Sequence, residues 1–219
     1  MRWLNERLAR ARSESGVTLI ELVVVCSVMT VILGFVTRTL VVMQNAATGS
    51  SLRLQNLDEA RILMATTTKD LRTATRLQAD LSPFVVANKR EVKFYANLDT
   101  TSAPQLIRLY VDSNNQLIEN ATKADNGSQP PLYSYTGNPK VRFVGRYVAN
   151  PTSTPLFRYY DANGNELTNV PLSNADGLAV TSVSVTYMIR KQNASNVPYT
   201  TLVNTVYLPN VFFNPIPTP

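Results

Sequence analysis

The sequence has no histidine and a single cysteine, Cys26. An intrachain disulfide is therefore excluded, and so are a Cys/His metal site and any nucleophile–base pair built on histidine. There is no P-loop and no dinucleotide-binding fingerprint. Proline is absent from residues 17–82, so nothing there breaks a helix from within. Acidic residues are in deficit: 15 Asp and Glu stand against 21 Lys and Arg, for a net charge of +6 and a pI near 9.5. Several of the carboxylates beyond residue 83 fall in turn-like positions, where Asp initiates turns. Their spacing does not suggest a two-carboxylate hydrolase. Composition thus leads us to expect a protein that is not an enzyme, carries no cofactor or metal, and is held together by core packing alone.

What the sequence does have is a long apolar run near its start. Residues 16–36 read GVTLIELVVVCSVMTVILGFV, with one acid, Glu21, near the beginning. The 20 residues from Val17 to Val36 suffice to span a hydrocarbon core of roughly 30 Å. An ionisable group near the membrane core is expensive and usually functional. Arg2, Arg7, Arg10 and Arg12 precede the run, which places the segment before it in the cytoplasm and everything beyond about residue 40 outside. Cys26 lies within the run and reads as a small packing residue.

The basic leader, Gly16, then Thr18-Leu19-Ile20-Glu21 ahead of an apolar helix, resembles the leader junction of type IV prepilins. Val17 departs from the Phe most often found in that family. The resemblance implies cleavage between Gly16 and Val17 by a prepilin peptidase and methylation of the new amino terminus on Val17. It also implies that Glu21 meets the amino terminus of a neighbouring pilin or pseudopilin subunit in a filament. Elementary electrostatics favours such a pairing, because two opposite charges together cost less in an apolar medium than two isolated ones. Many major pilins carry a disulfide near the carboxyl end, and this chain cannot, which points to a minor pilin.

Other readings of the same segment are a secretory signal peptide, with a weak site in QNAATG at 44–49, and a signal anchor that is never cut. The run is longer than a signal-peptide core and an acid interrupts it, which favours the prepilin reading. Two alternatives of function remain beside the minor pilin. One is a minor pseudopilin of a type II secretion or DNA-uptake system. The other is a single-pass anchored binding module that never polymerises.

Beyond Arg38 the pattern becomes amphipathic. Leu54, Leu57, Met64, Leu71 and Leu81 recur at roughly helical intervals, with Ala60 and Ala74 on or near the same stripe. One helix is expected from about residue 17 to about 80, weakest at Gly49-Ser50-Ser51 and ended by Ser82-Pro83. From residue 84 the texture turns to strands, expected at 84–87, 91–97, 105–111, 116–119, 141–148, 156–160, 165–168, 178–190 and 200–208. DSNN at 112–115 and DANG at 161–164 read as hairpin turns within two similar stretches. FRYYDANGNEL, a V-x-V strand and T-V-Y-L-P-N together resemble the distal domain of PilW-like minor pilins and J-type minor pseudopilins.

The expected class is α+β: a long amino-terminal helix packed on an antiparallel sheet. Its divisions are a leader (1–16), a transmembrane or filament-core helix (17–43), an amphipathic continuation (44–82), a sheet domain (83–213) and a Pro-rich tail (214–219).

Two weaker constellations complete the reading. Asp161, Asn163 and Asn165 imitate the first three ligands of a calcium loop, but Gly164 and Leu172 break its pattern, and a turn explains them more simply. Lys140, Arg142, Phe143, Arg146 and Tyr147, with Arg158, Tyr159 and Tyr160, mix cations and aromatics as DNA-binding surfaces do. Their scatter favours a solvated sheet face over DNA contact.

Overall fold

The computed structural model describes residues 18–98, 103–130, 132–191 and 197–211. The chain divides into two compact units, Met1–Ser50 and Ser51–Pro219. Helix α1 runs from Leu19 to Arg72, and its backbone is helical through Gly49, Ser50 and Ser51.

In the first unit, the described side chains of α1 are exposed almost throughout, including Leu19, Ile20, Phe35 and Met43. Five hydroxyls here turn back onto the carbonyl four residues earlier: Ser27 to Val23, Thr30 to Cys26, Thr37 to Leu33, Thr39 to Phe35 and Thr48 to Gln44, at 2.7–2.9 Å. This back-bonding satisfies each hydroxyl without solvent, which an apolar surrounding requires. By length and composition the helix can cross a membrane.

The second unit is α+β, with the α1 segment Ser51–Arg72 packed against antiparallel sheet. Strands β1 (Phe84–Ala87), β2 (Glu91–Ala96), β3 (Gln105–Val111), β4 (Leu117–Thr122) and β5 (Lys140–Gly145) form a five-stranded antiparallel meander in sequence order. Strands β6 (Phe157–Tyr160), β7 (Ser182–Ile189) and β8 (Thr200–Tyr207) form a second, three-stranded antiparallel sheet. The expected single sheet is therefore two. Leu63, Met64 and Leu71 of the helix share one core with Phe94, Ile107 and Leu109 of the first sheet and Tyr159, Val185 and Tyr187 of the second.

Several boundaries differ from expectation for identifiable reasons. The helix stops at Arg72 rather than near 80, so it does not fill the expected 44–82 segment. Thr73 N–H and Ala74 N–H close short turns onto Asp70 and Leu71 carbonyls, and the chain then pairs beside β2, with Ala74 opposite Ala96. The buried stripe is Asn56, Ala60, Leu63, Met64, Thr67, Asp70 and Leu71, whereas Leu54 is exposed and Leu81 more than one-third so. Residues 165–168 form no strand, only a bridge from Glu166 to Tyr160. The expected strand at 178–190 begins with a helix instead, α2 (Asn174–Ala179), whose cap is Ser173 accepting from Asp176 N–H at 3.1 Å. Both expected turns are present, the first joining β3 to β4 and the second closed only by the Tyr160–Glu166 bridge: Asp112 N–H bonds the Gln116 carbonyl, and Asp161 N–H bonds the Asn165 carbonyl.

Candidate functional site

Gly16 and Val17, the expected cleavage and methylation positions, lie outside the described residues. Thr18, Leu19, Ile20 and Glu21 are described and form the start of α1. Thr18 Oγ1 accepts the Glu21 N–H at 3.3 Å, and the Thr18 carbonyl accepts the Leu22 N–H at 3.1 Å. T-L-I-E is thus also an S/T-x-x-E helix start, in which the threonine caps an otherwise orphaned amide. The Glu21 carboxylate sits in the first turn, where the positive end of the helix dipole favours an anion. It is exposed, with Leu19, Ile20, Leu22 and Val23 exposed around it. No other Asp, Glu, Lys or Arg occurs until Arg38. The four residues therefore come together as one helical turn carrying a single free charge on an apolar surface.

The structure divides the basic and aromatic residues between two sheets. Lys140, Arg142 and Phe143 lie on β5, while Arg158, Tyr159 and Tyr160 lie on β6. Tyr159 is fully buried, and its hydroxyl donates to the Asn88 carbonyl at 3.0 Å. Arg142 is engaged by Glu119. These residues do not lie on one sheet, and the expected solvated face does not hold for Tyr159. The Asp161 carboxylate is occupied by its own turn: it accepts the Asn165 side-chain amide at 3.0 Å and the N–H groups of Asn163 and Asn165 at 2.9 and 2.8 Å. Those bonds, the Asn165 amide foremost, hold its carboxyl below the usual range.

One charged cluster escaped the sequence. Asp70 of α1 and Glu119 of β4 are buried together under Arg142 of β5. Burial, and then the neighbouring Glu119, raise the Asp70 carboxyl to about 7. In sequence, Asp70 is an ordinary polar residue of an amphipathic helix, and only strand register brings Glu119 and Arg142 opposite one another.

No family model matches this chain, and no curated protein matches it.

Proposed function

We propose that the protein is a minor type IV pilin-like subunit. A prepilin peptidase cuts between Gly16 and Val17 and methylates Val17. The apolar part of α1 then anchors the protein in the cytoplasmic membrane, with the sheet domain outside. On assembly that helix leaves the lipid and packs among the helices of other pilin subunits, in or at the end of a pilus. The role is structural rather than catalytic.

The observation that carries this reading is the lone Glu21 carboxylate in the first turn of α1, at the head of the uncharged apolar stretch that runs to Thr37. Such a charge favours a cationic partner at its own depth. A newly exposed amino terminus on Val17, four residues upstream, supplies one from a neighbouring subunit. The back-bonded hydroxyls of the same helix support passage through an apolar medium.

Mass spectrometry of the mature protein from its host is the test. A methylated amino terminus at Val17 is the expected result, and an intact Met1 would overturn it in favour of an uncut anchor. Crosslinking in the membrane then separates a pilus from a pseudopilus of secretion or DNA uptake, through the subunits it captures.

A further inference from the structure

The turn between β3 and β4 faces the segment that follows β5 and the end of β7, and together they enclose a cleft of about 420 Å³. Its lining is mostly polar: Asn114, Asn115 and Gln116 on one side, Arg146, Tyr147 and Arg190 on the other. Backbone hydrogen bonds hold the walls together. Val148 N–H donates to the Asn115 carbonyl at 3.0 Å, and Arg190 N–H donates to the Tyr147 carbonyl at 3.2 Å.

Two features of the cleft exceed what a connection between sheets needs. Tyr147 has φ +67°, in the left-handed region that bulky residues avoid. Strain of that kind gathers at binding sites, where the surrounding bonds impose it. Arg146 and Arg190 have no carboxylate within ion-pair distance among the described residues. Aromatic rings restrain both: Arg190 lies 4.1 Å from the Tyr199 ring centre, and Arg146 lies 5.3 Å from that of Phe143 and 5.8 Å from that of Tyr147.

Asp112 and Glu59 each spend one carboxylate oxygen on backbone N–H groups. Asp112 Oδ1 accepts the N–H groups of Asn114 and Gln116 at 2.9 and 2.8 Å, and Glu59 Oε1 accepts the Arg146 N–H at 2.6 Å.

We propose that this cleft binds a carboxylate-bearing saccharide. A planar guanidinium matches a carboxylate through a two-pronged fork. Side-chain amides, each both donor and acceptor, match the neighbouring hydroxyls of a sugar ring. The inference does not rest on the pilin reading, since it concerns only the sheet domain's own residues.

The test is isothermal titration of the full-length protein in detergent micelles at low salt, with trigalacturonic acid as probe. Its methyl ester, the same sugar without charge, and triglutamate, the same charge without sugar, are the comparisons. The acid sugar is expected to bind, with both comparisons at least ten-fold weaker. Arg146→Ala and Arg190→Ala should each weaken binding at least five-fold, and the double variant should abolish it. Lys140→Ala, on exposed β5, should leave it unchanged. Arg190→Lys keeps the charge and loses the fork, so a weakened but folded variant by circular dichroism guards against simple unfolding.

Absence of binding by the acid sugar overturns the proposal. Equal binding of the ester overturns the carboxylate requirement, and equal binding of triglutamate overturns the saccharide assignment. An equal loss in Lys140→Ala reduces the interaction to diffuse charge and overturns the site.

Discussion

Asp70 on the helix and Glu119 on β4 are both buried, and both face the one guanidinium of Arg142. Arg142 bonds Glu119 closely and stands 3.9 Å from Asp70 Oδ2, which makes no hydrogen bond among the described residues. Two buried carboxylates against one half-exposed cation leave one negative charge in excess, which a proton on Asp70 relieves.

Stability of the sheet domain should therefore depend on pH through Asp70. Its carboxyl is raised from 3.8 to about 7 by burial first, then by Glu119, while Arg142 and Lys69 oppose the shift. The Tyr187 hydroxyl, also facing it, is itself pushed up by burial. The folded protein thus holds a proton that the unfolded chain releases. The contribution is fully present below about 3.8 and is lost as pH rises through about 7. Asp70→Asn should flatten this slope and raise stability at pH 8 by roughly 1–3 kcal/mol. Urea unfolding of both proteins between pH 5 and 8 checks it. An unchanged slope in the variant would assign the titration elsewhere.

The helix and the second sheet are also joined by Thr67 Oγ1 and the Tyr187 hydroxyl, 2.6 Å apart and fully buried. Tyr187→Phe removes one partner and leaves the other without its bond. A loss of about 1–2 kcal/mol is expected in denaturant unfolding, with little change of fold. Thr67→Val combined with Tyr187→Phe should lose less than the sum of the two single changes.

Gly145, at the end of β5, meets the helix at close quarters. A Cβ there would stand 2.8 Å from Leu63 Cδ2 and 2.8 Å from Glu59 Oε1. Leu63 is fully buried and cannot swing away freely. Gly145→Val should destabilise the domain by about 1–3 kcal/mol through overpacking, read as a lower melting temperature. Gly127 has open space around a Cβ, but its φ of +84° strains any side chain placed there. Gly145, by contrast, is limited by its neighbours rather than by its own backbone.

At the amino-terminal turn, capping and charge can be separated. Thr18→Ala removes the side-chain acceptor for Glu21 N–H and should fray the first turn at a cost of about 1 kcal/mol. Glu21→Gln keeps a residue suited to a helix start but abolishes the charge. If Glu21 pairs with a neighbour's amino terminus, Glu21→Gln and Glu21→Ala should both be cleaved normally and fail to incorporate into filaments. Normal incorporation of Glu21→Gln, measured by immunoblot of sheared filaments, would reduce the residue to a helix start.

Much of the fold was legible because it rests on local rules. The proline-free apolar run predicted α1, and β1, β3 and the two Asp-initiated turns fell where alternation and turn chemistry placed them. What failed locally failed for a stated cause. Ser173-x-x-Asp176 was a readable helix start, hidden beneath the β-rich stretch that follows it. The helix end at Arg72 was not readable, because residues 73–75 are held by pairing with Tyr95, Ala96 and Asn97, far along the chain.

The sequence by itself determined the α+β class, the membrane-length apolar helix and the isolation of Glu21 within it, since each follows from neighbours along the chain. The tertiary structure alone decided that the strands form two sheets, and that Asp70, Glu119 and Arg142 share one buried site. It alone decided that the β3–β4 turn closes a cleft with Arg146 and Arg190. These depend on register and packing between segments dozens of residues apart, and no local pattern encodes which side chains such pairing will bring together.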